Sequence, residues 1–202
     1  MTDRTLLLPT EIQLFPLSLV LFPDGVLQLK LFEARYLDMA ARCMRENAPF
    51  GVCLIREGGE VGEPALPHGT GVLARIVDWD MSQPGLLFIT ARGGARFRIV
   101  ERTLQPDRLQ TARVEWLAEP PPQPLPGHVA DMLPLLRAIV TDAGSALFPE
   151  PHHFDDATWV GYRLTEILPI PAEARLRLLE LDDAVLRLEI IRAFLKQHKL
   201  LD

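Results

Sequence analysis

A chain of 202 residues with 48% apolar and 24% charged residues has the composition of a folded globular protein, enough for one large domain or two small ones. Its net charge of −6 argues against a nucleic-acid partner, because phosphate binding needs clustered cations and lysine occurs only at positions 30, 196 and 199. No apolar run approaches the roughly 20 residues of a membrane span and no basic leader precedes one, so the expectation is a cytoplasmic protein without a membrane role.

Residues 1–10 are a polar start followed by Leu6-Leu7-Leu8-Pro9, which reads as a loosely held extension. Strands are predicted at 11–15 and 26–32, punctuated by Phe15-Pro16-Leu17 and Phe22-Pro23-Asp24-Gly25. Proline gives no N–H to a ladder, so Pro16 and Pro23 belong at strand starts, edges or turns. Asp24-Gly25 is turn chemistry, with Pro23 presetting φ and Gly25 tolerating a positive one. From Val26 to Phe32 apolar residues alternate with Gln28 and Lys30, the pattern of a half-buried strand. From Glu33 the period becomes helical through Tyr36, Leu37, Ala40, Cys43 and Met44, giving a helix over 33–47. Cys43 and Cys53 read as small buried hydrophobes in a reducing compartment.

A third strand is predicted at 50–55, a Gly/Glu turn at 57–63, and a strand at 70–80. Ser82-Gln83-Pro84-Gly85 then forms a hairpin loop into 86–91. Gly93-Gly94 is expected to break the run before 95–101, and 111–117 closes the β region. Arg92, Arg96 and Arg98 are the densest basic group, and read as a solvated strand face. Many short strands with a single early helix imply a twisted, partly closed β-barrel.

The composition then shifts. Residues 119–127, EPPPQPLPG, form a stiff proline-rich connector. Beyond it a stripe from Val129 to Val140, a second helix at 157–168 with Asp155 or Asp156 as N-cap, a third at 172–181 and a last one capped by Asp182 or Asp183 form a small bundle. The expected fold is α+β, with a barrel domain at 1–118, the connector at 119–127 and a helical domain at 128–202.

The order FPL, VLFP-x-G and L-x-L-x-x-FE-x-RY in residues 15–36 resembles the start of the substrate-binding N-terminal domain of the ATP-dependent Lon proteases. Phe50-Gly51-Val52, Gly69-Thr70-Gly71, Gly94-x-Arg96-Phe97, Leu168-Pro169-Ile170 and Leu178-Leu179-Glu180 follow in the family's order, so the resemblance covers nearly the whole chain. One departure is Asp24, which separates Pro23 from Gly25 where many relatives have the two adjacent. The resemblance implies a PUA-like barrel and a stand-alone Lon-like protein that binds protein substrates.

The catalytic parts of Lon are not matched. No G-x-x-x-x-G-K-[ST] phosphate loop occurs, and Gly69-Thr70-Gly71 lacks a third glycine and the helix. Ser18, Ser82 and Ser145 have no base in a recognisable motif. His152, His153, Asp155 and Asp156 crowd into five residues, yet without metal-ligand spacing, and an aspartate there is needed to start a helix. Glu33 and Arg35, two apart, are not expected to face each other on a helix.

No catalytic, cofactor or metal site is therefore expected. The expected role is a non-catalytic module that captures unfolded or peptide segments, in protein quality control and alongside a separate protease. Phe15, Leu17, Leu19 and Phe22 are the candidate peptide-binding residues, because the prolines around them interrupt ladder pairing. The competing expectation for these side chains is that they fill the barrel. The alternative function is a small-ligand or enzymatic site between barrel and bundle.

Overall fold

The computed structural model describes residues 8–201, so Leu6 and Leu7 of the expected extension lie outside the described residues. Six strands precede five helical elements: β1 Glu11–Leu17, β2 Val26–Leu31, helix α1 Ala34–Glu46, β3 Phe50–Glu57, β4 Leu66–Gln83, β5 Leu86–Leu104 and β6 Gln110–Trp116. After the proline segment come a 3-10 helix, Gly127–Met132, and helices α2 Leu133–Ala143, α3 Ala157–Ile167, α4 Ala172–Glu180 and α5 Ala184–Gln197. The fold is α+β, with a twisted sheet first and helices after it.

The pairings β1–β3, β3–β4, β4–β5, β5–β6 and β6–β1 form a closed ring of five strands. Only β1 and β3 run parallel. Strand β2 stands outside the ring and pairs with β5 alone, over residues 87–92. The long β5 makes this arrangement possible. One of its edges is shared lengthwise between β2 and β6, while the other carries β4.

The main core gathers Phe15, Leu27, Phe50, Val72 and Ile89 from the sheet, Met39 from α1, and Leu21 and Phe22 from the segment between β1 and β2. Tyr162, Leu176 and Leu179 of α3 and α4 enter the same core. A second core holds Met132, Leu136, Trp159, Val160, Leu164, Leu188 and Ile191 within the helices. Aspartate N-caps start two of those helices: Asp156 accepts from the Thr158 N–H and Asp183 from the Leu186 N–H. The proline segment is tied to the start of α3, since Leu125 donates to the Asp155 carbonyl and Ala157 donates to the Gln123 carbonyl, both at 2.8 Å.

Several local expectations are corrected. Strand β5 runs unbroken through Gly93-Gly94, because the glycine there makes room for a neighbour and does not end the strand. A β-carbon on Gly93 would collide with the Phe22 carbonyl. Gly93 also donates to the Gly25 carbonyl at 2.8 Å and accepts from Asp24 at 3.0 Å. In the Phe22–Gly25 turn the positive φ falls on Asp24, at 62°, not on Gly25. Gly25 closes the turn by donating to the Phe22 carbonyl at 3.0 Å.

Arg96 does not lie on a solvated face. Its side chain is fully buried and donates to the carbonyls of Leu179 and Ala118 at 2.9 and 2.8 Å, and to Asp182 at 2.9 Å. Glu33 and Arg35 do meet, with Arg35 Nη2 at 2.8 Å from Glu33 Oε2. Glu33 is the N-cap with extended φ and ψ, so helical spacing does not apply to it.

Candidate functional site

The structure places Phe15, Leu17 and Phe22 inside the main core. The Phe15 ring lies 4.1 Å from that of Tyr36, and the Phe22 ring 5.4 Å from that of Tyr162. These three side chains fill the protein; the stretch is covered by α1 on one part and α3 on another, so the prolines expose little of it. Leu19 alone of the four is partly exposed, packed against the rim of the core.

Phe15 and Leu17 nevertheless form the floor of a depression of about 150 Å³ between β1 and β2. Its walls come from Gln28–Leu31 of β2, from Phe32 and Tyr36, and from Glu60 and Val61 of the loop after β3. These two strands are not paired with each other, so the edge of β2 away from β5 carries no strand partner among the described residues. Phe32 and Val61 stand at the rim, 51% and 62% exposed. Glu60 pins its loop by accepting the Ser18 N–H at 2.6 Å. Burial raises the Tyr36 phenol above its ordinary value, so that it stays neutral.

A second depression of about 340 Å³ lies across β2, sharing Gln28, Leu29 and Lys30 with the first and adding Trp79, Phe88 and Thr90. Val77, Trp79 and Met81 of the outer part of β4 are each more than half exposed. The pairing of β3 with β4 stops at Ala74, so among the described residues this outer arm also has one unpartnered edge. Sequence reasoning missed Val61, Trp79 and Met81. A signal existed for the last two, since Val77, Trp79 and Met81 alternate with Asp78 and Asp80 as apolar and acidic residues.

The histidine–aspartate cluster is dispersed by its local jobs. His152 contacts the Phe148 carbonyl at 2.9 Å, His153 lies edge-on to Trp159, and Asp156 caps α3. Among the described residues no group of three or more His, Cys, Asp or Glu is placed to hold a metal ion, and no helix is long and apolar enough to cross a membrane. Both cysteines are free and buried, and burial pushes their thiols up to about 11 at Cys43 and about 12 at Cys53, so both stay protonated and unreactive.

Comparison with known proteins follows the same outline. The family described as the ATP-dependent protease La (LON) substrate-binding domain matches residues 11–197. A crystal structure of a Lon N-terminal domain protein from Xanthomonas campestris is 34% identical, with a TM-score of 0.74, covering 92% of this chain and 98% of that one. The N-terminal domain of Mycobacterium avium complex Lon protease shares the fold at 16% identity and a TM-score of 0.63, covering 93% and 99%. No curated protein matches the chain. The match extends through both the sheet and the helices. This chain belongs to the Lon substrate-binding domain family.

Proposed function

We propose that the protein captures extended or unfolded protein segments by strand addition at the free edge of β2. One observation carries this: β2 is hydrogen-bonded on a single side, and its open side borders an apolar-floored depression rimmed by exposed Phe32 and Val61. An incoming chain would gain backbone hydrogen bonds from β2 while alternate side chains enter the depression. The family's description as a substrate-binding domain supports the class of ligand.

The role is one of capture without chemistry, in cytoplasmic quality control and with any cleavage left to a separate protease. Two unpaired, buried thiols suit a reducing compartment. No ATP hydrolysis and no peptide cleavage is expected of the purified chain. Turnover that survives purification and vanishes with a point substitution in this chain would refute that.

Fluorescence anisotropy with a labelled, permanently unfolded casein tests the site. Phe32→Ser combined with Val61→Ser should weaken binding about tenfold with the melting temperature unchanged, because both side chains are at the surface. A peptide probe N-methylated at alternate residues should also lose affinity, since it cannot extend the ladder. Unchanged binding by the double variant would remove the β2 edge as the site.

A further inference from the structure

Strand β2 divides its side chains between two faces of different character. Leu27 and Leu31 are buried and Leu29 half-buried on the face turned to the core, where Phe15 and Leu17 floor the smaller depression. Gln28 and Lys30 stand exposed on the other face, opposite Thr90 and Phe88 of β5. A strand added to the free edge of β2 has the same alternation, so its successive side chains must suit the two faces in turn.

The faces also differ in charge. The acidic groups in the wall of the smaller depression are Glu33 and Glu60. Glu33 is already paired with Arg35, and Glu60 holds the Ser18 N–H. An incoming carboxylate gains nothing from either, whereas an apolar side chain meets Phe15 and Leu17. On the outer face Lys30 has no ion-pair partner among the described residues, and its ammonium lies 5.8 Å from the centre of the Phe88 ring. Residues directly opposite on neighbouring strands have β-carbons about 5 Å apart, so the residue facing Lys30 on an added strand is within ion-pair reach. Asp78 and Asp80 share that face by register, but they stand on β4, beyond β5. At about 4.8 Å per strand they are about 14 Å from an added strand, past the screening length of about 8 Å at physiological salt. Lys30 therefore sets the local charge.

On the reading that capture occurs at the β2 edge, we infer that the segments it takes carry an acidic residue between two apolar ones. The carboxylate faces Lys30 while an apolar neighbour enters the depression floored by Phe15 and Leu17. Only one register satisfies both faces. A one-residue slip puts the carboxylate beside Glu33 and Glu60 and an apolar side chain beside the ammonium. The unpartnered edge on the outer arm of β4 selects the reverse, because Asp78 and Asp80 favour a basic residue there. The sign of the charge preference thus tells which edge is in use.

Fluorescence anisotropy on the full chain tests this, with labelled peptides containing Thr-Val-X-Val-Thr in which X is glutamate, lysine or serine. The glutamate peptide should bind about fivefold tighter than the lysine peptide at low ionic strength, and the difference should shrink in molar salt. Lys30→Glu should reverse the order; a merely damaged fold would weaken all three peptides alike. Equal binding of the glutamate and lysine peptides, tighter binding of the lysine peptide, or an order that survives Lys30→Glu would overturn the inference. The serine peptide keeps it separate from the site itself. If that peptide binds, and Phe32→Ser/Val61→Ser weakens it while charge has no effect, the β2 site stands and the acidic preference falls. If no peptide binds, both fall.

Discussion

Glu166 Oε1 occupies the position that a β-carbon on Gly25 would need. The turn that marks the family in sequence is thus docked against α3. Arg163, one helical turn before Glu166, donates to the Pro23 carbonyl at 2.6 Å and pairs with Glu166 at 3.1 Å. Gly25 is a glycine because of space, not because of φ.

Gly25→Ala should therefore lower the melting temperature, at a cost of about 1–3 kcal/mol for overpacking a tight contact. Adding Glu166→Ala frees the space, so the double variant should lose less than the two single losses together. Additive losses would show that the contact is not what constrains residue 25.

Stability should also fall as pH rises through the mildly acidic range. Burial raises the Glu166 carboxyl to about 7 from its ordinary 4.5, with Arg163 and Arg175 opposing the rise and Asp24 adding to it. The folded protein binds the proton more tightly than the unfolded chain, so the favourable contribution is complete below about pH 4.5 and lost as pH passes 7. With 19% of the side chain exposed, the span is at most about 3 kcal/mol. Urea melts of the wild type and Glu166→Gln at pH 5 and pH 7.5 check it. The variant should lose this slope while the rest of the profile persists.

Phe22→Asp and Leu19→Asp separate core from rim in the opening stretch. Phe22 is fully buried, so an unpartnered carboxylate there should cost several kcal/mol and prevent folding at 37 °C. Leu19 is partly exposed, and Leu19→Asp should fold with a much smaller loss. Circular dichroism melts of the two proteins decide it. If Leu19→Asp folds and binds casein as well as the wild type, Leu19 has no part in capture.

Arg96 connects the sheet, the start of the proline segment and the loop between α4 and α5. Arg96→Met should destabilise by about 3 kcal/mol, chiefly because the carbonyls of Leu179 and Ala118 lose their donors; Asp182 and Glu119 reach water and matter less. We propose that the division into 1–118, 119–127 and 128–202 is one of architecture, with a single unfolding transition shared by both parts. Two separated transitions in a urea melt, or rapid proteolytic cutting between Glu119 and Gly127 that leaves two folded pieces, would show independent domains.

What was legible in the sequence was what neighbouring residues decide. The apolar alternation of β2, the helical period after Glu33, and the Asp156 and Asp183 caps are local chemistry, and local chemistry produced them. Residues whose roles depend on partners far along the chain were opaque. Arg96 alternates along its strand like a surface residue, and only the arrival of α4 buries it. Gly93-Gly94 looks like a break until the Phe22 carbonyl is seen resting on it. The proposed surface is of the same kind: Phe15 and Leu17 are core side chains that reach it only as a floor, while the exposed Val61 and Trp79 lie on elements that sequence alone did not bring to β2.

The ring closed by β1, β3, β4, β5 and β6 has a kinetic consequence. Strand β2 plays no part in closing it, so lifting β2 away breaks one ladder and uncovers Leu27 and Leu31 while the ring stays whole. Opening of this kind is a local fluctuation, less costly than global unfolding. Backbone amides of β2 should exchange with deuterium sooner than those of β3, which is held by β1 on one side and β4 on the other. The barrel thus keeps one strand on a hinge, and a visiting chain meets a wall that can yield without falling.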